Sequence, residues 1–158
     1  MSTTSETAYP LMEAFYTLQG EGYHSGKPAY FIRLAGCDVG CHWCDVKESW
    51  DAGLHKITSI EDIVSGAMAH PSKFVVITGG EPLMHDLTEL TNNLIEKKYE
   101  LAIETSGAYS LSGTWHWICL SPKKFKAPRE EFYAVVNELK VIIFNKSDFK
   151  WAEEHAAK

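Results

Sequence analysis

No run of apolar residues in this chain approaches the roughly 20 that a membrane-spanning helix needs, which argues against a transmembrane segment. The opening Met1-Ser-Thr-Thr-Ser-Glu-Thr7 has neither the basic n-region nor the apolar h-region of a secretory signal. Positive charge is scarce as well: 15 Lys and Arg stand against 21 Asp and Glu, a formal net charge of −6. A domain of that sign lacks the electrostatic footprint of a general nucleic-acid or anionic-membrane binder. Internal repeats, low-complexity tracts and long linkers are missing too, so nothing suggests an array or a multidomain chain. Cysteine is sparse, with four in 158 residues, and three of them fall within eight positions. That is a poor disulfide framework; in a reducing compartment such clustering points to metal or redox chemistry. A soluble, cytoplasmic protein of one domain over residues 1–158 is the reading that these absences leave.

What is present is an alternation of strand and helix patterns. Tyr30-Phe-Ile-Arg-Leu34 reads as a strand entering the cysteine loop. Thr58 with Glu61 resembles a capping box, and Ile60, Ile63, Val64, Ala67 and Met68 at helical spacing predict a helix over Ser59–His70. Phe74-Val-Val-Ile-Thr78 has the continuous β-branched character of a strand buried on both faces. Asp86 is the predicted N-cap of a helix carrying Leu87, Leu90, Leu94 and Ile95. Strands are predicted at Glu100–Glu104, Trp115–Leu120 and Glu138–Ile143, and a last helix at Ser147–Ala157. The alternation argues for βαβ units and a parallel sheet. Cys37, Gly79-Gly80-Glu81, Thr105 and Ser121 all follow predicted strands, where α/β folds gather their ligands.

The cluster Cys37-x3-Cys41-x2-Cys44 places three thiols on one short loop. Three thiolates can hold three corners of a cubane iron–sulfur cluster, leaving one iron open to a chelating small molecule. Structural zinc with His42 as fourth ligand is an alternative, although His42 is awkwardly placed between Cys41 and Cys44 and a second knuckle is missing. Ordinary buried cysteines are another. Cys119, among Trp117, Ile118 and Leu120, reads as a small core residue.

The cysteine spacing, with Gly79-Gly80-Glu81-Pro82 about 35 residues later, resembles the radical S-adenosylmethionine (SAM) enzymes. Thr17-Leu18-Gln19-Gly20-Glu21-Gly22, Phe31-Ile32-Arg33-Leu34, Trp43-Cys44-Asp45, Glu104-Thr105-Ser106-Gly107, Ser121-Pro122-Lys123 and Glu138-Leu139-Lys140 narrow the resemblance to the 7-carboxy-7-deazaguanine synthase family, from about Met12 to Val141. The resemblance implies an α/β fold, a partial, modified (β/α) barrel of the radical SAM type. It implies a lyase with a 4Fe-4S cluster, S-adenosyl-L-methionine and Mg²⁺, contracting 6-carboxy-5,6,7,8-tetrahydropterin to 7-carboxy-7-deazaguanine with loss of ammonia, on the queuosine pathway. Cleavage of the sulfonium would yield a 5′-deoxyadenosyl radical that abstracts hydrogen from the pterin. Flavodoxin or ferredoxin as electron donor and a homodimeric state are likewise implied. A glycyl-radical activase shares the cysteines and the Gly-Gly-Glu-Pro but does not call for Gln19-Gly20-Glu21 with Arg33. A non-catalytic zinc-binding module is the reading from another class.

Carried over by position, Cys37, Cys41 and Cys44 match the cluster ligands. Trp43, Cys44, Asp45, Gly80, Ser121, Pro122 and Lys123 match cofactor-binding positions. Leu18, Gln19, Gly20, Arg33 and Thr78 match substrate-contacting ones, Arg33 suiting a carboxylate because a guanidinium pairs with it bidentately. Glu81 and Glu104 are additional candidates, Glu81 as an acceptor for the cofactor's amino group. Elsewhere Arg33 would be read as a salt-bridged strand residue, Gln19-Gly20-Glu21-Gly22 as a plain turn, Trp43 as core and Lys123-Lys124-Phe125-Lys126 as a solvated loop. Two departures stand out. Where the family offers Mg²⁺ a hydroxyl, this chain has Val46, whose side chain has no oxygen to give. The sequence also stops at Lys158, where the family continues with another strand carrying cofactor and substrate contacts; the readings are a truncation or a missing tail, and a chain that really ended there would have a more open site.

Overall fold

A computed structural model describes residues 7–158. Residues 1–6, the greater part of the stretch read for a leader, lie outside them, and no helix among the described residues is long and apolar enough to cross a membrane. Seven strands form one sheet: β1 (Ala8–Leu18), β2 (Pro28–Leu34), β3 (Lys56–Ser59), β4 (Phe74–Gly79), β5 (Glu100–Thr105), β6 (Trp117–Leu120) and β7 (Glu138–Leu139). Their order is β3-β1-β2-β4-β5-β6-β7, with β3 and β7 as edges, so the sheet is unclosed. From β2 to β7 every pairing is parallel, while β1 lies antiparallel to both β2 and β3. The sheet is therefore mostly parallel but mixed.

Helices α1 (Ile60–Met68), α2 (Thr88–Glu96) and α3 (Ser147–Ala156) complete the chain, with short 3-10 turns between. One face of the sheet carries the main core. Ile32, Leu34, Val75, Ile77, Leu101, Ile103 and Leu120 meet Ile60, Ile63, Val64 and Ala67 of α1 and Leu90 and Leu94 of α2. Burying each such aliphatic side chain contributes about 1.5–3 kcal/mol before chain entropy is set against it. The second face has only a small apolar layer of Ala29, Phe31, Phe74, Val76 and Ala102, flanked by Phe15 and Trp117. Over that layer folds the β1–β2 hairpin loop: His24 lies on Phe74 and Trp117 at ring distances of 4.8 and 4.7 Å, and Tyr23 stacks on Trp117 at 4.7 Å.

Several boundaries differ from the sequence reading. The residue capping α1 is Ser59, whose hydroxyl accepts from the Asp62 N–H at 3.2 Å, not Thr58. Thr58 belongs to β3, which pairs with β1 through Ser59. Ser59→Ala is expected to lower stability by about 1 kcal/mol in urea unfolding, and Thr58→Ala by clearly less. Asp86 stands one residue before the capping position of α2 and accepts from the Thr88 N–H at 2.9 Å. The strand predicted over 138–143 is paired only at Glu138 and Leu139, and β6 starts at Trp117 rather than Trp115, whose indole donates to the Ser112 carbonyl.

Candidate functional site

The carboxyl ends of β2, β4 and β6 lead into the cysteine loop, the Gly80–Glu81 turn and the Ser121–Lys123 turn. β2 runs out through Ala35 and Gly36 into the cysteines. Gly36 has φ +109°, which a side chain would strain, and its N–H donates to the Ser49 carbonyl at 2.7 Å. Cys37 N–H donates to the Trp50 carbonyl at 3.1 Å and Cys44 N–H to the Cys41 carbonyl at 3.0 Å. The far side of the loop is closed by the end of β4. A Cβ on Gly80 would lie 2.5 Å from the Gly36 carbonyl oxygen and 2.7 Å from the Cys37 Cβ. Two backbone bonds stitch this seam: Gly80 N–H to Leu34 O at 3.1 Å and Glu81 N–H to Gly36 O at 2.8 Å.

Cys37 and Cys44 are half-buried and Cys41 is buried, and none forms a disulfide. Burial raises the Cys37 thiol above its ordinary range, with Glu81 and Cys44 adding to the shift against a hydrogen bond from the Val39 backbone. Burial raises Cys41 too, opposed by the nearby Lys123 ammonium. Cys37 and Cys41 are thus in electrostatic reach of each other and of Cys44. Among the described residues no three Cys, His, Asp or Glu side chains converge on a point fit for a single ion. His42 packs edge-on against Phe125 and Phe144 at 5.4 and 5.7 Å. Three thiols on one loop, with a glycine seam behind them that a single methyl would obstruct, form a donor set that could hold a cubane cluster.

Glu81 is held by donors from around the ends of both β4 and β5. Its carboxylate is 1% exposed. Oε1 accepts from Leu83 N–H at 3.1 Å and Thr105 Oγ1 at 2.5 Å, and Oε2 from Ser106 N–H at 2.8 Å and Ser106 Oγ at 2.5 Å. Four donors fill the four lone-pair directions of a carboxylate. Glu81 therefore fastens the end of β4 to the end of β5.

On the second face, register aligns a polar row one rung above the apolar layer. Glu13 pairs with Arg33, Arg33 with Thr78, and Thr78 and Glu104 follow directly on the Ile77–Ile103 pair. Glu104 then pairs with Cys119 and Cys119 with Glu138. Arg33 Nε donates to Glu13 Oε1 at 2.7 Å. Gln19, in the hairpin loop, donates to Glu104 Oε1 at 3.1 Å and accepts from the Glu21 N–H at 3.1 Å. Leu18 and Gly20 beside it are exposed. Lys140 pairs with Glu21 and reaches Glu104 at 3.9 Å. Glu104 thus belongs to the face that carries Arg33 and Thr78, rather than to the cysteine loop. Cys119 is buried in this row, its thiol pushed up to about 12 by burial and by Glu104 and Glu138, so it stays protonated and inert.

The loop after β6 completes the ring. Lys123 donates to the Ser121 hydroxyl and lies 5.5 Å from the Trp43 ring, and burial holds its ammonium below the ordinary lysine range. Pro122 is buried, while Asp45 is exposed beside the loop. The neighbouring lysines point elsewhere: Lys124 pairs with Asp148 at 2.5 Å and Lys126 with Asp38 at 2.8 Å. Val46 is half-buried, and its carbonyl already accepts from both Ser49 Oγ at 2.6 Å and Ser49 N–H at 3.0 Å.

Sequence reasoning missed two groupings. Asp38, within the cysteine loop, accepts from Tyr109 Oη at 2.5 Å and from Lys126, which also donates to Tyr109 at 2.9 Å. The three side chains come from three separate loops, and no local pattern foretells their meeting. Glu13 sits on a strand that the sequence reading did not find.

Residues 31–116 match the Radical SAM superfamily. The 7-carboxy-7-deazaguanine synthase of Flavobacterium psychrophilum is 60% identical over 149 residues, covering 94% of this chain and 70% of that protein. The enzyme of the same name from Synechocystis sp. is 51% identical over 151 residues, covering 96% and 73%. Among solved structures, the crystal structure of QueE from Escherichia coli superposes with a TM-score of 0.85 at 36% identity, covering 95% of this chain and 77% of that one.

Proposed function

Because the chain belongs to the radical SAM superfamily and, within it, to the 7-carboxy-7-deazaguanine synthases, we propose that it converts 6-carboxy-5,6,7,8-tetrahydropterin to 7-carboxy-7-deazaguanine with release of ammonia. It is thus a radical SAM lyase acting on a small molecule. The observation that supports this reading beyond likeness is Arg33. It is the last polar residue of β2 before the cysteine loop, with most of its guanidinium donors unused and a carboxylated substrate to match them.

In this reading Cys37, Cys41 and Cys44 hold a 4Fe-4S cluster through their thiolates. When bound, the cluster and S-adenosyl-L-methionine supply one-electron cleavage of a sulfonium carbon–sulfur bond, and so a radical able to take a hydrogen atom. The chain's own task is placement. Trp43, Cys44, Asp45, Gly80, Ser121, Pro122 and Lys123 would hold the nucleotide, the Gly80 seam keeping its backbone in place. Leu18, Gln19, Gly20, Arg33 and Thr78 would hold the pterin. Gln19 is suited because its amide both donates and accepts, and Glu104 because it fixes that amide from below. The apolar layer of Phe31, Val76 and Ala102 beneath the polar row helps exclude water from the second face.

A reductant is required by this chemistry; flavodoxin or ferredoxin in a reducing cytoplasm suits it, and a homodimer is the assembly proposed by resemblance. Mg²⁺ does not fit Val46, whose side chain offers no oxygen and whose carbonyl carries two donors already. Turnover at saturating substrate is therefore expected to change by less than about threefold when Mg²⁺ is withheld. A strong requirement would place an oxygen donor elsewhere in the site. The function itself is tested by anaerobic reconstitution with iron and sulfide, incubation with the carboxylated pterin, and mass analysis of the products. Cofactor cleavage with no deazapurine formed would overturn it.

A further inference from the structure

Strand β1 contains one irregularity, and it lies beside Arg33. Leu11 pairs with Leu34 and Glu13 with Arg33, so the register slips by one residue between them and Met12 is the extra residue. Without that bulge Met12 would stand opposite Arg33, and Glu13 would face the helix-covered core with Ile32 as its partner. The bulge thus turns a carboxylate onto the second face, where Glu13 Oε1 accepts from Arg33 Nε at 2.7 Å. A guanidinium has five N–H donors, and this bond takes one. The Arg33 side chain is 19% exposed, yet its Nη1 and Nη2 make no hydrogen bond to any described residue. An ordinary surface ion pair needs no displaced register.

Resting on the assignment of Arg33 to the substrate carboxylate, we propose that Glu13 is a positioning residue for that reaction. By holding Nε it removes the side-on edge of the guanidinium from competition. It also fixes the planar group so that the end-on pair, Nη1 and Nη2, receives the carboxylate of the pterin. Its effect is confined to substrates that carry that carboxylate.

The test is equilibrium binding to the anaerobically reconstituted enzyme, with 6-carboxytetrahydropterin and with tetrahydropterin lacking the carboxylate. Glu13→Ala is expected to weaken the carboxylated ligand about tenfold and the other less than about twofold, the size of a loosened charge-assisted bidentate contact. Glu13→Gln keeps an acceptor on Nε and is expected to stay within about threefold of the parent. The double variant Glu13→Ala/Arg33→Ala should bind no more weakly than Arg33→Ala alone. Equal weakening of both ligands by Glu13→Ala, no weakening of either, or a Gln variant as poor as the Ala variant would overturn the proposal. Should Arg33→Ala itself bind the carboxylated pterin normally, the anchor reading of Arg33 fails first, and is told apart by that variant alone.

Discussion

Cys37→Ala, Cys41→Ala and Cys44→Ala are each expected to abolish cleavage of S-adenosyl-L-methionine, with at least a hundredfold loss being about the minimum for removing a ligand of the reactive centre. Cys119→Ala is expected to leave cleavage within about twofold, because its thiol is a small buried side chain with no metal chemistry to perform. The contrast follows from position. The first three share a loop that backbone hydrogen bonds tie to Ser49 and Trp50 and the β4 seam abuts, whereas Cys119 lies within β6 between Glu104 and Glu138. Iron and sulfide content after reconstitution, read together with visible charge-transfer absorbance, separates loss of the cluster from loss of catalysis. Equal damage in all four variants would show that the thiols were wrongly assigned.

Glu81→Ala is expected to cost about 3 kcal/mol of stability, since a buried carboxylate holding four donors leaves them unpaired when it is removed. Thr105, Ser106 and the Leu83 amide lose their acceptors together. Urea unfolding of the cofactor-free protein measures this directly, and a lowered midpoint with an unchanged slope is the expected signature. Were Glu81 instead a free acceptor for the cofactor, the variant would keep its stability and lose only nucleotide affinity. Glu81→Gln is expected to recover part of the loss, because its amide oxygen still serves one side of the pair while its amide nitrogen confronts donors on the other.

The parts of this fold written locally in the chain were legible there. The β-branched run of β4 announces burial on both faces, and the spacing of Ile60, Ile63, Val64 and Ala67 announces α1. β1 was not legible, for a definite reason. Its bulge near Met12 interrupts the two-residue alternation by which strands are recognised, and Pro10 reads as a breaker. With β1 unread, the antiparallel edge of the sheet, the β3 pairing and the Glu13–Arg33 contact were all hidden. The last strand was overread because Ile142 and Ile143 have strand-like character, yet both are exposed and only Glu138 and Leu139 find partners. In the site, the cysteines, glycines and Lys123 were visible as motifs. The role of Glu81 was not, because its donors come from β5, some 25 residues away in sequence.

The contact between Gly36 and Gly80 has one more effect. Two loops that meet main chain to main chain have no side chain between them to act as a cushion, so neither can loosen while the other stays ordered. Opening there is cooperative, so a disturbance at the end of β4 is expected to reach the cysteine loop directly. The order of the cysteine loop is thereby tied to the rigidity of the sheet itself.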